Sequence, residues 1–396
     1  MLRTSTSHRR ADGLTVLLQQ TCYGDRASEV AALMRAMILT YHNPSTSEGD
    51  RQAADLSSSV PKIVPIARLV SLVGLDETYE VEAHGKVYRF TWQRKIARGC
   101  YNSVYNGTMT DVRASNCRSS GAMPLAPVVV KVTGQHESDL RVFVLENVLH
   151  AILFHMPETR GMVVPIWCPF KVPHNDGQVN TYGVVLSDPG HGHVGEYIER
   201  KYESFERHGT TYEQEMFSML ASIADMLYRA RALRFEHRDL KADNIMWAPT
   251  SQRTRTVHID EQDRDMIYPT CNASFVFIDF GMARFEYAGE YLACDCLPNR
   301  TEYNPACDLQ NLCCTLVEDY AQELAKIAPR FFSWLQGLCK PLFAAAAART
   351  RGYAKLDRDA RHLALTDTVH AEKLRPFVPI SMLEILRVYF DSKTVA

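Results

Sequence analysis

The stretch His237-Arg-Asp-Leu-Lys-Ala-Asp-Asn244 decides how this 396-residue chain is interpreted. It places a carboxylate at Asp239 and an ammonium group at Lys241 within one short segment that ends in an asparagine. Further along, an apolar run leads into an Asp-Phe-Gly turn in Phe275-Val-Phe-Ile-Asp-Phe-Gly281. Alone, a His-Arg-Asp triplet is usually a surface charge cluster, and Asp-Phe-Gly is usually a turn after a strand. Their joint occurrence in one chain is what predicts a catalytic site.

Two features upstream complete this pattern. Val128-Val-Val-Lys131 is a short β-branched run that ends in a lysine, as expected of a buried strand. The next segment, 137–155, has apolar residues at helical spacing and is predicted to be a helix. Glu146 on this helix is the preferred acidic partner for the lysine, because apolar residues follow it on the same face. Glu137 is also available nearby.

Taken in order, these motifs resemble those of the eukaryotic protein kinase family. The first stretch matches H-R-D-L-x-x-x-N at every defined position, and the lysine strand and the Asp-Phe-Gly turn flank it in the family's order. The resemblance implies an α+β, bilobal protein kinase fold with a β-rich N-lobe and a mainly helical C-lobe. The lobes are expected at 61–187 and 188–396, after an N-terminal extension, 1–60, that holds a helix and a Ser-rich linker.

The resemblance assigns catalytic roles in the second lobe. Asp239 is the candidate base that accepts the proton of the attacking hydroxyl, and Lys241 is placed to reach the γ-phosphate. Asn244 and Asp279 are candidate ligands of Mg²⁺, a cation that prefers carboxylate and amide oxygens. ATP and Mg²⁺ are the implied cofactors. In the family, lysine at position 241 marks serine/threonine kinases, so the expected partners are protein substrates that carry Ser or Thr.

The resemblance also places nucleotide contacts in the first lobe. Lys131 would hold the α- and β-phosphates, with Glu146 pairing its ammonium group. The phosphate-covering loop is degenerate, since only the central glycine, Gly99, and Val104 remain of G-x-G-x-x-G-x-V. Leu186, at the end of a predicted strand, is a further candidate contact.

Composition limits the other partners and the location. Lysine and arginine total 44 against 46 acidic residues, a net charge of −2, which argues against nucleic acid or an anionic membrane as the main partner. No uncharged apolar run reaches the ~18 residues of a membrane span. The N-terminus lacks the apolar core of a secretory signal, so the eleven cysteines are expected to be reduced. The expected location is cytoplasmic or nuclear, including that of a virus-infected host cell; the sequence carries no signal for the oligomeric state.

Two further departures from the family pattern stand out. A long polar insert, 248–272, separates the two central stretches and is interpreted as a solvated surface loop with a lesser possibility of docking. The segment after Gly281 has no Ala-Pro-Glu, whereas Asp308 resembles the buried helix aspartate that supports the catalytic loop. The missing glutamate of Ala-Pro-Glu and the compact tail resemble haspin-like kinases and kinases encoded by large DNA viruses. Thr301 is the one Ser or Thr between 282 and 307, and the hypothesis is that its phosphorylation is not required.

Local patterns give further expectations. A helix over 211–232 is predicted with Thr211 as its cap, and a final helix is predicted from Ser381 through Phe390. Clustered cysteines are interpreted as buried thiols in preference to a zinc site: Cys294, Cys296, Cys307, Cys313 and Cys314. Short strands are predicted at these positions: 81–83, 87–91, 95–98, 103–109, 128–132, 163–166 and 182–186.

Two other functions remain open at this point. The degenerate glycine-rich loop is compatible with a pseudokinase, a binding module that keeps the kinase fold without phosphoryl transfer. A small-molecule phosphotransferase of the aminoglycoside-kinase kind would share an H-x-D-x-x-x-x-N loop. Such enzymes usually lack both the arginine before the base and the glycine of the Asp-Phe-Gly turn, and both are present here at Arg238 and Gly281.

Overall fold

The computed structural model describes residues 28, 68–70, 77–83, 86–98, 102–111, 126–133, 137–159, 161–172, 181–188, 190–287, 290–293, 303–350, 352–356 and 371–394. The chain divides into two compact units. The β-rich unit comprises Met1–Met156, Pro165–Asp188 and Glu286–Cys296, and the helical unit comprises Pro157–Val164, Pro189–Phe285 and Leu297–Ala396. The predicted α+β fold, with one β-rich and one mainly helical part, is confirmed. The extension 1–60 lies almost entirely outside the described residues.

The β-rich unit contains a seven-stranded antiparallel sheet in the order β1-β2-β3-β4-β5-β7-β6. A single described helix, α1 (Glu137–His155), connects β5 to β6, at the predicted bounds. The strands are β1 (Arg68–Val70), β2 (Glu77–Ala83), β3 (Lys86–Arg98), β4 (Asn102–Asp111), β5 (Ala126–Thr133), β6 (Ile166–Val172) and β7 (Thr181–Ser187).

The lysine strand, β5, lies inside this sheet between β4 and β7. Val128 and Val130 are fully buried, which explains why the β-branched run could be recognised. The predicted strand at 163–166 is wrong, since only its last residue belongs to the observed strand β6 (Ile166–Val172). Val163 makes only an isolated bridge to Phe277, and the strand itself begins at Ile166.

The helical unit is organised around α3 (Glu213–Arg229), in which every residue from 216 to 228 is buried. Other elements surround this stretch of the helix, and its buried residues include the polar side chains of Ser218, Ser222 and Asp225. The other helices are α2 (Val194–His208), α4 (Cys307–Asp319), α5 (Ala321–Ile327), α6 (Pro329–Arg349), α7 (Ala371–Leu374) and α8 (Pro379–Thr394). The strands are β8 (Ile245–Pro249), β9 (Thr254–Ile259), β10 (Arg264–Pro269) and β11 (Ala273–Phe277). Strand β12 (Arg284–Tyr287) begins in this unit, and β13 (Glu290–Ala293) belongs to the β-rich unit.

The insert 248–272 is not the solvated loop that was predicted. Its strands β9 and β10 form an antiparallel hairpin, and the base of the insert is the pair β8–β11. One face of the hairpin packs on α3 and α8, with apolar side chains buried at alternate positions. The charged residues between them point outward, and they made this alternation hard to recognise in the sequence. The buried side chains are Val257, Ile259, Met266 and Tyr268.

Two predicted helix starts are also wrong. The residue before α3 is Tyr212, and its side chain makes no capping hydrogen bond. The prediction that Thr211 caps this helix is therefore wrong. The carboxylate of Glu213 instead accepts hydrogen bonds at 2.8 and 2.9 Å from the backbone N–H groups of Arg330 and Phe331, which open α6. Helix α8 begins at Pro379, before Ser381, and continues to Thr394.

The described cysteines are free thiols. Cys307, Cys313, Cys314 and Cys339 are buried, and burial raises the pKa of the Cys313 thiol. Cys294 and Cys296 lie outside the described residues. Within the described part of the chain, no group of His, Cys, Asp or Glu side chains is arranged to hold a metal ion through three ligands. No helix in that same part is long and apolar enough to cross a membrane.

Candidate active site

The His-Arg-Asp segment is held in an unusual backbone conformation. Arg238 has a φ of +64°, in the left-handed region that costs a non-glycine residue roughly 1–2 kcal/mol. The conformation is held by Asp308 of α4, whose Oδ2 and Oδ1 accept hydrogen bonds at 2.8 Å from the backbone N–H groups of His237 and Arg238. The loop is therefore positioned by α4, the helix that follows it by about 70 residues in the chain.

Asp308 is itself a buried carboxyl group. Burial raises its pKa to about 6, against the smaller opposing effects of His237 and of the two backbone donors. Asn311, one turn further along α4, donates from Nδ2 to the main-chain oxygen of Arg238 at 3.4 Å. Helix α4 thus accepts a hydrogen bond from the Arg238 N–H group and donates one to the Arg238 carbonyl oxygen.

Asp239, Lys241 and Asn244 meet in one hydrogen-bonded group. The Nζ atom of Lys241 lies 3.1 and 2.9 Å from the two carboxylate oxygens of Asp239. The Nδ2 atom of Asn244 donates to the Asp239 main-chain oxygen at 2.7 Å and to its Oδ2 at 2.9 Å. Asp239 and Lys241 are each about 30% exposed, and Asn244 is buried. The candidate base is therefore fixed in direction by two neighbours and still open to solvent.

Asp279 is tied to this group through the backbone and through His237. The main-chain oxygen of Asn244 accepts a hydrogen bond at 3.0 Å from the N–H of Ile278, the residue before Asp279. The Nε2 atom of His237 lies 2.8 Å from the carbonyl oxygen of Ile278, and its ring is 5.4 Å from that of the buried Phe280. Asp279 itself is exposed, with a left-handed φ of +63°.

In the β-rich unit, the structure brings Lys131 and Glu146 together. Both side chains are buried, and the Lys131 Nζ atom contacts the Glu146 Oε1 atom in an ion pair. A buried ammonium group needs such a partner, because an unpaired buried charge is costly. Glu146, the preferred partner, makes this contact.

The other predicted nucleotide contacts of this unit share one face of its sheet. Val104 on β4 lies directly opposite Lys131 in the β4–β5 register, so the two side chains point the same way. Leu186 on β7 is paired with Val129, which lies on the Lys131 face because side chains alternate along a strand. Val104 and Leu186 are half-buried. Gly99 lies outside the described residues.

One feature of the site was missed by sequence reasoning. Glu236 precedes His237 directly, and its carboxylate contacts the side chains of Arg238 and Arg284. A glutamate beside the arginine of the motif was the available signal. A carboxylate two residues from an arginine is too common in surface loops to be recognised without its burial.

The residues present in the helical unit fit a magnesium ion. Because the Nδ2 atom of Asn244 is used by Asp239, the amide oxygen is the atom left for a cation. With Asp279 it gives an all-oxygen donor set, which suits Mg²⁺ and not a softer metal. The arrangement can orient a hydroxyl at Asp239 and bind a cation beside it.

Comparisons with known proteins show only a weak structural similarity to two kinase domains. No family model matches the chain, and a search of the curated proteins found no match. Among solved structures, the kinase domain of PF14_0431 aligns with 50% of this chain and 51% of its own, at 17% identity and a TM-score of 0.32. The BubR1 kinase domain aligns with 87% of this chain and 99% of its own, at 15% identity and a TM-score of 0.42. The chain thus spans about half of the first domain and nearly all of the second. A likeness of this strength carries no argument, so the function is inferred from the residues themselves.

Proposed function

We propose that this chain is a serine/threonine protein kinase, which transfers the γ-phosphoryl group of magnesium-bound ATP to a hydroxyl group of a protein substrate. The observation that supports this most is the position of Asn244. Its side chain fixes the carboxylate of Asp239, and its main chain bonds to the residue before Asp279. A base and two oxygen donors for a metal are thereby held in one network.

Asp239 is the proposed base. It accepts the proton of the substrate hydroxyl as the oxygen forms a bond to the γ-phosphorus and the bond to the β-phosphate oxygen breaks, which leaves ADP. A positioned base typically contributes ~10²–10⁴-fold in rate. The ammonium group of Lys241, which already contacts both oxygens of Asp239, keeps the carboxylate in place and adds positive charge close to the transferred group.

Asn244 and Asp279 are the proposed metal ligands. When bound there, Mg²⁺ would neutralise part of the negative charge on the triphosphate. The backbone hydrogen bond from Ile278 to Asn244 holds the segment before Asp279 against Asn244, so both proposed ligands are positioned before the substrate arrives.

Lys131 is the proposed contact of the α- and β-phosphates. Its ammonium group is held by Glu146, so its direction is fixed before the nucleotide binds. Val104 and Leu186, on the same sheet face, supply half-buried apolar surface for the adenine ring.

Lys241 supports serine or threonine as the acceptor, since lysine at this position accompanies that specificity in the family that the motifs resemble. Arg238 and the glycine of the Asp-Phe-Gly turn support a protein substrate over a small alcohol. The presence of Lys131, Asp239, Asn244 and Asp279 supports an active enzyme over a pseudokinase.

The test is phosphoryl transfer from γ-labelled ATP and Mg²⁺ to a mixture of generic proteins. Wild type is compared with Asp239→Asn, which preserves shape, and with Asp263→Asn, the same change at a fully exposed position of the hairpin. We expect label on Ser or Thr with wild type and the control, and none with Asp239→Asn. Equal transfer by Asp239→Asn contradicts its role as the base. Failure to bind Mg-ATP indicates a pseudokinase, and transfer to free alcohols alone indicates a small-molecule kinase.

A further inference from the structure

Glu236 occupies a buried position between two arginines. Its side chain is 3% exposed, that of Arg284 is 0% exposed and that of Arg238 is 6% exposed. Arg284 opens β12, just after the Asp-Phe-Gly turn, and Arg238 belongs to the catalytic loop. None of the three contributes a ligand or a base to the proposed reaction, so their burial needs another explanation.

The carboxylate of Glu236 joins three segments of the helical unit. Its Oε2 atom lies 3.1 Å from the Nε atom of Arg238 and 3.0 Å from the Nε atom of Arg284. Its Oε1 atom accepts a hydrogen bond from the backbone N–H of Asn304, at the entry to α4. Glu236 and Arg284 also exchange two backbone hydrogen bonds, at 3.0 and 2.9 Å. One anion therefore connects the catalytic loop, the strand after the metal-binding turn, and the segment that leads into α4.

Burial of a guanidinium group is costly unless a nearby anion compensates its charge. In many kinases that anion is a phosphate added to the activation segment, which orders the segment through new contacts with arginine. A phosphate offers several acceptor oxygens to donors on different segments. The Glu236 carboxylate makes the same kind of connection with its own two oxygens, and it belongs to the chain permanently.

We propose that Glu236 is a built-in anion that replaces an activating phosphate. It is a positioning residue, which acts on Asp239 through Arg238 and on Asp279 through Arg284. This inference rests on the proposed function, and it extends the hypothesis on Thr301 by naming the group that makes phosphorylation unnecessary.

The first test does not depend on catalysis. Glu236→Ala removes the carboxylate and leaves a space beside two cationic side chains, which inorganic phosphate can fill. We expect millimolar phosphate to raise the Tm of Glu236→Ala by several degrees more than that of wild type. Glu203→Ala, which removes an exposed partner of Arg207, is the matched control and follows wild type. Equal phosphate shifts in all three proteins overturn the proposal.

A second variant covers the case in which Glu236→Ala does not fold. Glu236→Gln keeps the shape and removes the charge, so the hydrogen bond from the Asn304 N–H weakens. We expect the backbone amide hydrogen of Asn304 to exchange with solvent at least tenfold faster in Glu236→Gln than in wild type. An unchanged exchange rate contradicts a connecting role for the charge.

Activity provides the third readout. Wild type treated with a phosphatase, with the absence of phosphate shown by intact mass, is expected to retain its rate within twofold. Glu236→Ala is expected to lose at least tenfold in kcat with the KM for ATP within twofold, and added phosphate restores part of the rate. Loss of wild-type activity on dephosphorylation overturns the proposal. If wild type transfers no phosphate at all, the proposed function fails, whereas the phosphate-dependent Tm still decides the role of Glu236.

Discussion

The His-Arg-Asp loop, 237–244, and the hairpin of β9 and β10, 254–269, lie in the same helical unit but are held by different forces. Polar contacts hold the loop: Asp308 fixes its backbone and Asn244 fixes the Asp239 carboxylate. Burial of apolar side chains holds the hairpin, which packs on α3 and α8. The comparison shows that a substitution in the loop should change the reaction, whereas one in the hairpin should change stability.

Tyr268 of the hairpin gives the largest expected effect. Its ring is fully buried near Phe390, and its hydroxyl donates to the Asp225 Oδ2 atom at 3.3 Å. Tyr268→Ala should lower the free energy of unfolding by about 3–5 kcal/mol, the cost of removing a buried aromatic ring. Tyr268→Phe, which loses only the hydrogen bond, should cost about 1 kcal/mol. Urea unfolding measures both, and a loss below about 1 kcal/mol for Tyr268→Ala would show that the hairpin is not packed as described.

Asn244 gives the next largest effect, on the reaction. Asn244→Ala removes a proposed metal ligand and both hydrogen bonds to Asp239. We expect kcat to fall roughly 10²–10³-fold, as for the loss of one preorganised polar group in an active site. Steady-state kinetics at saturating ATP and Mg²⁺ measures it, with circular dichroism as the control for folding. A kcat within threefold of wild type contradicts the proposed role.

Asp308 tests the polar contacts that hold the loop, because its buried carboxyl group accepts hydrogen bonds from the loop backbone. Burial raises its pKa from 3.8 to about 6, so the native state takes up a proton below about pH 6 that the unfolded chain binds only near pH 4. The contribution of Asp308 to the free energy of unfolding must therefore rise as the pH falls from 7 to 5, by on the order of 1 kcal/mol. Urea unfolding of wild type and Asp308→Asn at both pH values measures this. The contrary result is that the free energy of unfolding of wild type, minus that of Asp308→Asn, is the same or lower at pH 5 than at pH 7.

Ile267 gives the smallest expected effect. It lies on β10 between the buried Met266 and Tyr268, but its own side chain is 61% exposed. Ile267→Thr keeps the β-branched shape and should change the free energy of unfolding by less than about 0.5 kcal/mol. The matched change Met266→Thr should cost more than about 2 kcal/mol. Similar losses for the two variants would mean that the hairpin does not bury one face only.

The sequence was sufficient for features that are fixed by side-chain chemistry or by long apolar patterns. Helix α1 and strand β5 were predicted because their apolar residues leave few alternatives, and the pairing of Lys131 with Glu146 follows from their positions on those two elements. The loop residues were recognised because their types and their order match the motif H-R-D-L-x-x-x-N at every defined position.

Features that depend on burial were not predictable. The alternation of Val257 with Ile259 and of Met266 with Tyr268 is short, and charged residues surround it, so it resembled a solvated loop. Glu236 looked like any surface glutamate until the structure showed it between two arginines. In both cases the missing information was which neighbours exclude water from the residue.

The most direct measurement is the single-turnover rate of phosphoryl transfer from Mg-ATP by wild type and by Asp239→Asn at equal, saturating enzyme. If Asp239 is the base, wild type transfers label to Ser or Thr, and the variant is slower by roughly 10²–10⁴-fold with ATP affinity unchanged. Equal rates in the two proteins, or no transfer by a wild type that binds Mg-ATP and is supplied with protein and free-alcohol acceptors, would contradict the proposed kinase mechanism.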